Sequence, residues 1–165
     1  MGKQGGAGAA TREDSKGVVN VRIVLVPVDF SENAEAAVQY AGQLAQKFGA
    51  KLHLLHVVEP ASFVNDLRNV PFTLSDKQLE ATATTDLEAL ATRFIDPKVQ
   101  TSWAVKRGKG YQEIVKAAKQ LKANMIVIST HGYTGLKHTI MGSTAERVVR
   151  HAACPVLVLR AEAGE

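Results

Sequence analysis

Residues Asn124 to Arg160 read NMIVISTHGYTGLKHTIMGSTAERVVRHAACPVLVLR and predict a strand, a loop, a helix and a second strand in that order. The apolar run Met125 to Ile128 predicts a buried strand, and the residues that follow it, Ser129-Thr130-His131-Gly132, favour a loop. After the loop, Ser143 to Glu146 has the S-x-x-E form of a helix capping box, with Ser143 as the N-cap. The N-terminus of that helix is therefore expected to face the loop.

The predicted loop has the parts of an anion-binding site. Gly132 and Gly135 allow the backbone to turn sharply and to approach a ligand closely, and the amides at the start of a helix attract negative charge. A phosphate group would suit such a site. In the alternative interpretation, the two glycines only form turns and Ser143 only caps the helix. The glycine pair alone does not decide between the two interpretations.

A second apolar segment lies near the start of the chain. Residues Val21 to Val28 are almost continuously apolar, which is typical of a strand buried on both faces of a parallel sheet. Ser31 can cap the helix that follows, and Gly49 is placed to end it. Between these two residues, apolar side chains recur at helical spacing. A strand followed by a helix is therefore predicted here as well.

The rest of the chain continues this alternation. The further predicted elements are a strand at Lys51–Val58, a helix from about Leu74 to Phe94 and a strand at Val99–Lys106. Gly108 and Gly110 then lead into a helix with Ile114, Val115, Ala118 and Leu121 facing inward. After the strand at Met125 come a helix at Ser143–His151 and a strand at Pro155–Leu159. Parallel neighbouring strands need crossover connections, which the helices supply. The sequence therefore predicts an α/β fold with three layers, α/β/α, around a five-stranded parallel sheet.

Val24 to Ser31 and Ser129 to Ser143, taken together, resemble the universal stress protein family. Its nucleotide-binding members carry a glycine, two residues, a second glycine, nine residues, and then Gly-Ser or Gly-Thr. Gly132, the nine residues that follow it, and Gly142-Ser143 match the second part of this motif, whereas Ser129 occupies the position of the first glycine. Serine leaves room for a phosphate or ribose but adopts positive φ less readily than glycine. The resemblance extends from Val21 to Arg160.

The resemblance implies a Rossmann-like fold of the adenine nucleotide alpha hydrolase-like type, with strand order 3-2-1-4-5. In this order the first and fourth strands are neighbours, and a crevice opens at their C-terminal ends. The implied ligand is ATP, and Mg²⁺ can accompany its phosphates. The residues expected to bind the nucleotide are Pro27, Val28, Asp29, Val57, Ile128, Ser129, His131, Gly132, Gly135, Gly142, Ser143 and Thr144.

Three of these residues have a second interpretation. Asp29 can accept hydrogen bonds from ribose hydroxyls or from an exocyclic amine, but it can also stabilise the start of the helix after Ser31. The resemblance makes Pro27 and Val57 walls of an adenine slot, whereas the apolar pattern alone would assign both to the sheet core.

The chain lacks the sequence patterns of the common catalytic and metal sites. It has no G-x-x-x-x-G-K-[ST] phosphate loop and no G-x-S-x-G nucleophile motif. His56 and His131 lack the spacing of metal ligands, so we expect each to be hydrogen-bonded in the core or a loop. No catalytic residue and no metal ligand is predicted, and any hydrolysis of bound ATP is expected to be slow.

Composition places the chain among single-domain globular proteins. Of its 165 residues, 45% are hydrophobic and 22% are charged, and the single cysteine forms no intrachain disulfide. We expect a disordered tail over residues 1–19 and one domain over residues 20–161, in the cytoplasm. The mild net charge of +4, a low aromatic content of 5% and the lack of an apolar run long enough for a bilayer argue against nucleic-acid and membrane partners.

The last predicted strand is unusually apolar for the edge of a sheet. By resemblance, we expect it to pair antiparallel with a second copy, through Val156 to Leu159, in a symmetric homodimer. The N-terminal tail or a loop could cover this edge instead. A second function also stays open: the serine at position 129 would suit a homodimeric interaction protein of the same fold that binds no nucleotide.

Overall fold

The computed structural model describes residues 20–60, 76–130 and 142–160. Strands and helices alternate along these ranges as β1 (Ile23–Pro27), α1 (Glu32–Phe48), β2 (Lys51–Val58), α2 (Asp76–Phe94), β3 (Thr101–Arg107), α3 (Gly110–Leu121), β4 (Met125–Ser129), α4 (Ser143–His151) and β5 (Val156–Leu159). The strands form one parallel sheet in the order β3-β2-β1-β4-β5. The predicted fold class and strand order are confirmed, while the predicted disordered tail lies outside the described residues.

Side chains of alternate sheet residues enter two separate apolar layers. Val24, Val26, Leu52 and Leu54 pack with α1 and α2 on one face of the sheet. Leu25, Leu55, Ile126 and Ile128 pack with α3 and α4 on the opposite face. Each large side chain removed from water in this way stabilises the fold by about 1.5–3 kcal/mol, so the apolar layers on both faces of the sheet contribute to stability. The two-sided burial explains why the central strands are continuously apolar in sequence.

Asn124 joins β4 to β1, the pair of strands at which the direction of winding reverses. Its side-chain Oδ1 accepts hydrogen bonds from the backbone N–H groups of Arg22 and Ile23, both at 3.0 Å. Its own backbone N–H donates to the Ile23 carbonyl, with an N···O distance of 2.9 Å. β1 begins at Ile23 rather than at the predicted Val21, and at this start of the strand the Asn124 side chain, rather than a backbone carbonyl of β4, accepts from the amides.

The predicted ends of α1 are both confirmed. Ser31 is the N-cap, and its Oγ accepts a hydrogen bond from the Ala34 amide at 3.2 Å. Gly49 ends the helix in the left-handed conformation, with φ of 64°. A residue with a Cβ would be strained there, so the glycine is required by the backbone. Among the helices of the described ranges, none is both long and apolar enough to cross a lipid bilayer.

Candidate functional site

A cavity of about 480 Å³ lies at the C-terminal ends of β1, β2 and β4, between the N-terminal ends of α3 and α4. We call it the strand-end cavity. Its volume falls in the range of small-molecule binding sites. Its lining residues are Pro27, Val28, Asp29, Leu55, Val57, Glu59, Gly110, Ile114, Ile128, Ser129, Thr130, Gly142, Ser143, Thr144 and Ala145. The cavity thus occupies the crevice expected where the winding of the sheet reverses.

The strand-end cavity brings together nine residues that the sequence predicted as nucleotide ligands. They are Pro27, Val28, Asp29, Val57, Ile128, Ser129, Gly142, Ser143 and Thr144. The other three predicted residues, His131, Gly132 and Gly135, lie outside the described residues. Residues from both ends of the chain therefore meet at one site, although the middle of the glycine motif is not described.

Asp29 is held in the cavity wall by the first turn of α1. Its Oδ1 accepts hydrogen bonds from the Ser31 amide at 3.1 Å and from the Ser31 hydroxyl at 2.6 Å. The same hydroxyl oxygen accepts from the Ala34 amide, which couples the carboxylate to the helix cap. Asp29 therefore supports the start of α1 and also lines the cavity, so the two interpretations of this residue are compatible.

Phe30, between Asp29 and Ser31, has a left-handed backbone with φ of 61°. For a residue with a bulky side chain this conformation costs roughly 1–2 kcal/mol. The Phe30 ring packs 4.7 Å from the His56 ring, and His56 Nδ1 lies 2.7 Å from the Val28 carbonyl oxygen. Because a carbonyl can only accept, Nδ1 carries the proton in this contact. His56 is thus a hydrogen-bonded residue of the core, as its sequence context predicts.

The start of α4 differs from the prediction. Gly142, not Ser143, is the N-cap, and Ser143 is the first helical residue. No side chain caps this helix, and Glu146 instead binds Arg150 with an N···O distance of 2.8 Å. The predicted capping box is therefore wrong. The backbone carbonyl of Gly142 already accepts from the Glu146 amide, so the S-x-x-E pattern lies one residue too far along the chain to cap it.

Gly142 is needed for space rather than for an unusual backbone angle. Its φ is −67°, which any residue can adopt. Its N–H donates to the Thr130 carbonyl at 2.6 Å, and a Cβ built at this position would lie 2.9 Å from that same oxygen. The end of β4 and the start of α4 are therefore in direct backbone contact on either side of residues 131–141.

The uncapped start of α4 leaves backbone donors at the strand-end cavity. The first N–H groups of a helix have no acceptors within it, and they carry the positive end of the helix dipole. Gly142, Ser143, Thr144 and Ala145 all line the cavity, and no side chain in the described residues caps them. This end of the cavity is suited to an anionic group.

Sequence reasoning missed six lining residues: Leu55, Glu59, Gly110, Ile114, Thr130 and Ala145. Glu59 and Gly110 form a contact of their own, in which Glu59 Oε1 accepts from the Gly110 amide at 2.6 Å. Lys109, the N-cap of α3, supplies no side-chain hydrogen bond, so Glu59 caps this helix from the end of β2. The rule that selected Asp29, a carboxylate directly after a buried strand, would also have selected Glu59.

The charged side chains among the described lining residues are both acidic. They are Asp29 and Glu59, and no lysine, arginine or histidine is among the lining residues that the structure describes. Within residues 20–60, 76–130 and 142–160, no group of three histidine, cysteine or acidic side chains could hold a metal ion. In the described part of the cavity, positive potential therefore comes from helix amides rather than from cationic side chains.

Comparison with known proteins gives one family. The family model described as "Universal stress protein family" matches residues 20–160. Universal stress protein MJ0531 of Methanocaldococcus jannaschii is 32% identical over 143 residues, which cover 83% of this chain and 81% of the relative. The solved structure of hypothetical protein MJ0577 has a TM-score of 0.73 at 26% identity and covers 88% of this chain and 99% of its own.

A further solved structure is that of the universal stress protein from Archaeoglobus fulgidus in complex with dAMP. It has a TM-score of 0.57 at 20% identity and covers 86% of this chain and 98% of its own. At this identity the likeness concerns the fold alone. An adenine nucleotide is thus bound by one protein with the same arrangement of sheet and helices.

Proposed function

The chain belongs to the universal stress protein family, and on this premise we propose that it is an ATP-binding regulatory protein of the stress response. One observation carries the proposal: an apolar slot and the uncapped amides of α4 share the strand-end cavity. A nucleotide needs both, because its base is largely apolar on its faces while its phosphates are charged. The dAMP complex of a protein with the same fold supports the same ligand class.

The proposed ligand lies with its base towards β2 and α3. Leu55 and Val57 of β2 and Ile114 of α3 form the apolar part of the cavity, and Pro27 adds a wall at the end of β1. Burial of both faces of an adenine ring between such side chains is favourable, because it removes apolar surface from water as core packing does. The base is therefore assigned to the β2 side of the cavity.

The proposed phosphate position is at the other side, where α4 begins. The amides of Ser143, Thr144 and Ala145 in the first turn of α4 can donate to phosphate oxygens, and the helix dipole favours their charge. Asp29 lies at the end of β1, between these two sides in the strand order, and can accept from ribose hydroxyls. Mg²⁺ would reach the site with the phosphates.

Any ATP hydrolysis by this site is proposed to be slow. Of the described lining residues, Asp29 and Glu59 are the ones with a carboxylate that could act as a general base. Each uses an oxygen to accept from a backbone amide at the start of a helix, so each already has a structural role. We therefore expect ATP to be bound rather than rapidly turned over.

The test is to denature freshly purified protein and to analyse the released small molecules for an adenine nucleotide. Protein freed of nucleotide should then melt at a higher temperature when ATP is added, because a ligand that binds the folded state stabilises it by mass action. GTP at the same concentration serves as the control ligand. Absence of both a released nucleotide and a melting shift would favour the interaction protein of the same fold.

We also propose that two copies associate through β5. This strand is at the edge of the sheet, and all four of its residues are partly exposed although all are apolar. Pairing of Val156 to Leu159 with the same segment of a second copy would satisfy the outward backbone groups and cover the side chains.

A further inference from the structure

One wall of the strand-end cavity is formed by residues on one side of β2 and at its end, and their exposure to solvent increases along the chain. Leu55, Val57 and Glu59 are at alternate positions along the chain, and all three line the cavity. Leu55 is 1% exposed, whereas Glu59 directly follows the strand and is exposed. This wall therefore changes from the buried apolar side chain of Leu55 to the exposed carboxylate of Glu59, which lies at the solvent-exposed end of the apolar slot.

The carboxylate of Glu59 is fixed in direction by α3. Its Oε1 accepts from the Gly110 amide at 2.6 Å, and a Cβ built on Gly110 would lie 2.8 Å from the same oxygen. Glycine at position 110 thus permits a contact that a larger residue would disturb. Among the described residues this is the hydrogen bond that Glu59 makes, so Oε2 keeps its capacity to accept.

An acceptor fixed at the mouth of a base slot distinguishes bases by their edges. Adenine presents an exocyclic amine, which donates to a carboxylate, while a purine without that amine offers no such donor. Hydrogen bonds to a charged acceptor are also stronger than those between neutral groups. The apolar side chains of the slot cannot make this distinction, because they carry no hydrogen-bond acceptor.

We infer that Glu59 is a specificity-determining residue that selects adenine by accepting a hydrogen bond from its exocyclic amine. The inference rests on the proposed nucleotide site and adds a residue to it. Asp29 is assigned to the ribose, so the two acidic residues of the cavity act on different parts of the ligand. The Gly110 amide holds Glu59 in position for this contact.

The experiment measures the dissociation constants of ATP and of purine riboside 5′-triphosphate, which differs from ATP only in lacking the amine. Wild-type protein should bind ATP about tenfold more tightly, the ratio expected for one hydrogen bond to a charged acceptor. In Glu59→Gln, the amide oxygen can stay with Gly110 while the amide nitrogen replaces the free acceptor. The ratio should then fall to about one through weaker ATP binding, with binding of the analogue unchanged.

Glu113→Gln is the matched control. Glu113 is an acidic residue in the first turn of α3; it does not line the strand-end cavity, and its Oε1 lies 3.6 Å from Lys116 Nζ. This variant loses the same charge near the same helix terminus and should keep the wild-type ratio. A purely electrostatic effect of the α3 terminus would instead change both variants alike.

Three results would overturn the inference while leaving the proposed function intact. They are equal binding of both triphosphates by wild-type protein, a ratio that persists in Glu59→Gln, and an equal loss of affinity for both ligands in that variant. The last would mean that Glu59 only caps α3. The first of these results needs no variant, so the inference can be overturned even if Glu59→Gln folds poorly. Failure of wild-type protein to bind either triphosphate would overturn the proposed function as well.

Discussion

Asp29 uses one carboxylate oxygen to hold the first turn of α1, because Oδ1 accepts from both the amide and the hydroxyl of Ser31. An asparagine at this position could make the same contacts through its amide oxygen. The charge of Asp29 is therefore not required for the contacts with Ser31, and we expect it to serve the ligand. Mutation can therefore separate the role of Asp29 in supporting α1 from its proposed role in binding the ligand.

Asp29→Asn should weaken ATP binding about tenfold, because a charged acceptor for the ribose hydroxyls becomes neutral. Ser31→Ala should lower the free energy of unfolding by about 1 kcal/mol through loss of the N-cap, and leave ATP affinity near the wild-type value. Calorimetric titration and urea unfolding measure the two effects. Wild-type affinity in Asp29→Asn would show that the carboxylate faces no part of the ligand.

We expect His53 to make the stability of the folded protein depend on pH. Its Nδ1 lies 2.8 Å from the Ser102 hydroxyl oxygen on β3. Burial lowers the pKa of His53 below its ordinary value of 6.5, and the nearby Lys106 cation lowers it further. The folded protein thus binds a proton less readily than the unfolded chain does. The resulting stability is fully present above pH 6.5 and is lost as the pH falls through the lowered value.

The melting temperature of wild-type protein should therefore fall between about pH 7.5 and about pH 5, a window in which histidine titrates and most carboxyl groups do not. His53→Gln cannot gain a proton and should show a smaller fall. Thermal unfolding of both proteins across this window measures the difference. Parallel curves would mean that another group controls the dependence.

At the scale of elements, we expect alanine substitutions at two glycines to change the free energy of unfolding in opposite directions. Gly42 lies within α1, where a built Cβ would be 3.5 Å from Ile95 Cγ1, an ordinary contact. A built Cβ at Gly142 would be 2.9 Å from the Thr130 carbonyl oxygen, which no real Cβ tolerates without a shift. One site therefore has room for a methyl group and the other does not.

Gly42→Ala should raise the free energy of unfolding by about 0.5–1 kcal/mol, because alanine restricts the unfolded chain and favours helix. Gly142→Ala should lower it by roughly 1–3 kcal/mol, because the start of α4 must move away from β4. It should also weaken ATP binding by displacing the α4 amides. Chemical denaturation checks both signs, and a neutral Gly142→Ala would argue against the close backbone contact.

The elements themselves are largely predictable from the sequence. The ranges of β2 and α4 agree with the predictions, because charged or small residues bound both segments clearly. The capping-box pattern wrongly predicts Ser143 as the cap of α4, since the sequence does not show that the end of β4 comes close enough to exclude a Cβ at Gly142. Glu59 follows a buried strand as Asp29 does, but its contact with Gly110 cannot be predicted from the sequence, because the two residues are 51 positions apart and meet only in the folded chain.

At the scale of the whole molecule, β5 presents one row of backbone groups outward. The carbonyls of Pro155 and Leu159 accept from amides at both ends of β4, so Leu157 faces β4 as well. Successive strand residues point their backbone groups to opposite sides, which directs those of Val156 and Val158 away from the sheet. These outward groups are the ones that a second copy would pair.

Size-exclusion chromatography with light scattering should give wild-type protein a mass of twice the chain mass of 17.7 kDa. Val158→Pro removes an outward donor without removing a bond to β4, so it should give a folded monomer. Val158→Thr keeps both the donor and the β-branched shape, and should remain dimeric. A wild-type monomer at micromolar concentration, or a dimeric Val158→Pro, would exclude pairing through β5.

The same topology brings β1, β2 and β4 to one end of the molecule together with the starts of α3 and α4, and that end is where we propose that ATP binds. The most direct measurement is a calorimetric titration of nucleotide-free wild-type protein with ATP. We predict saturable binding of one ATP per chain. A folded protein that binds no ATP at millimolar concentrations would contradict the proposed site.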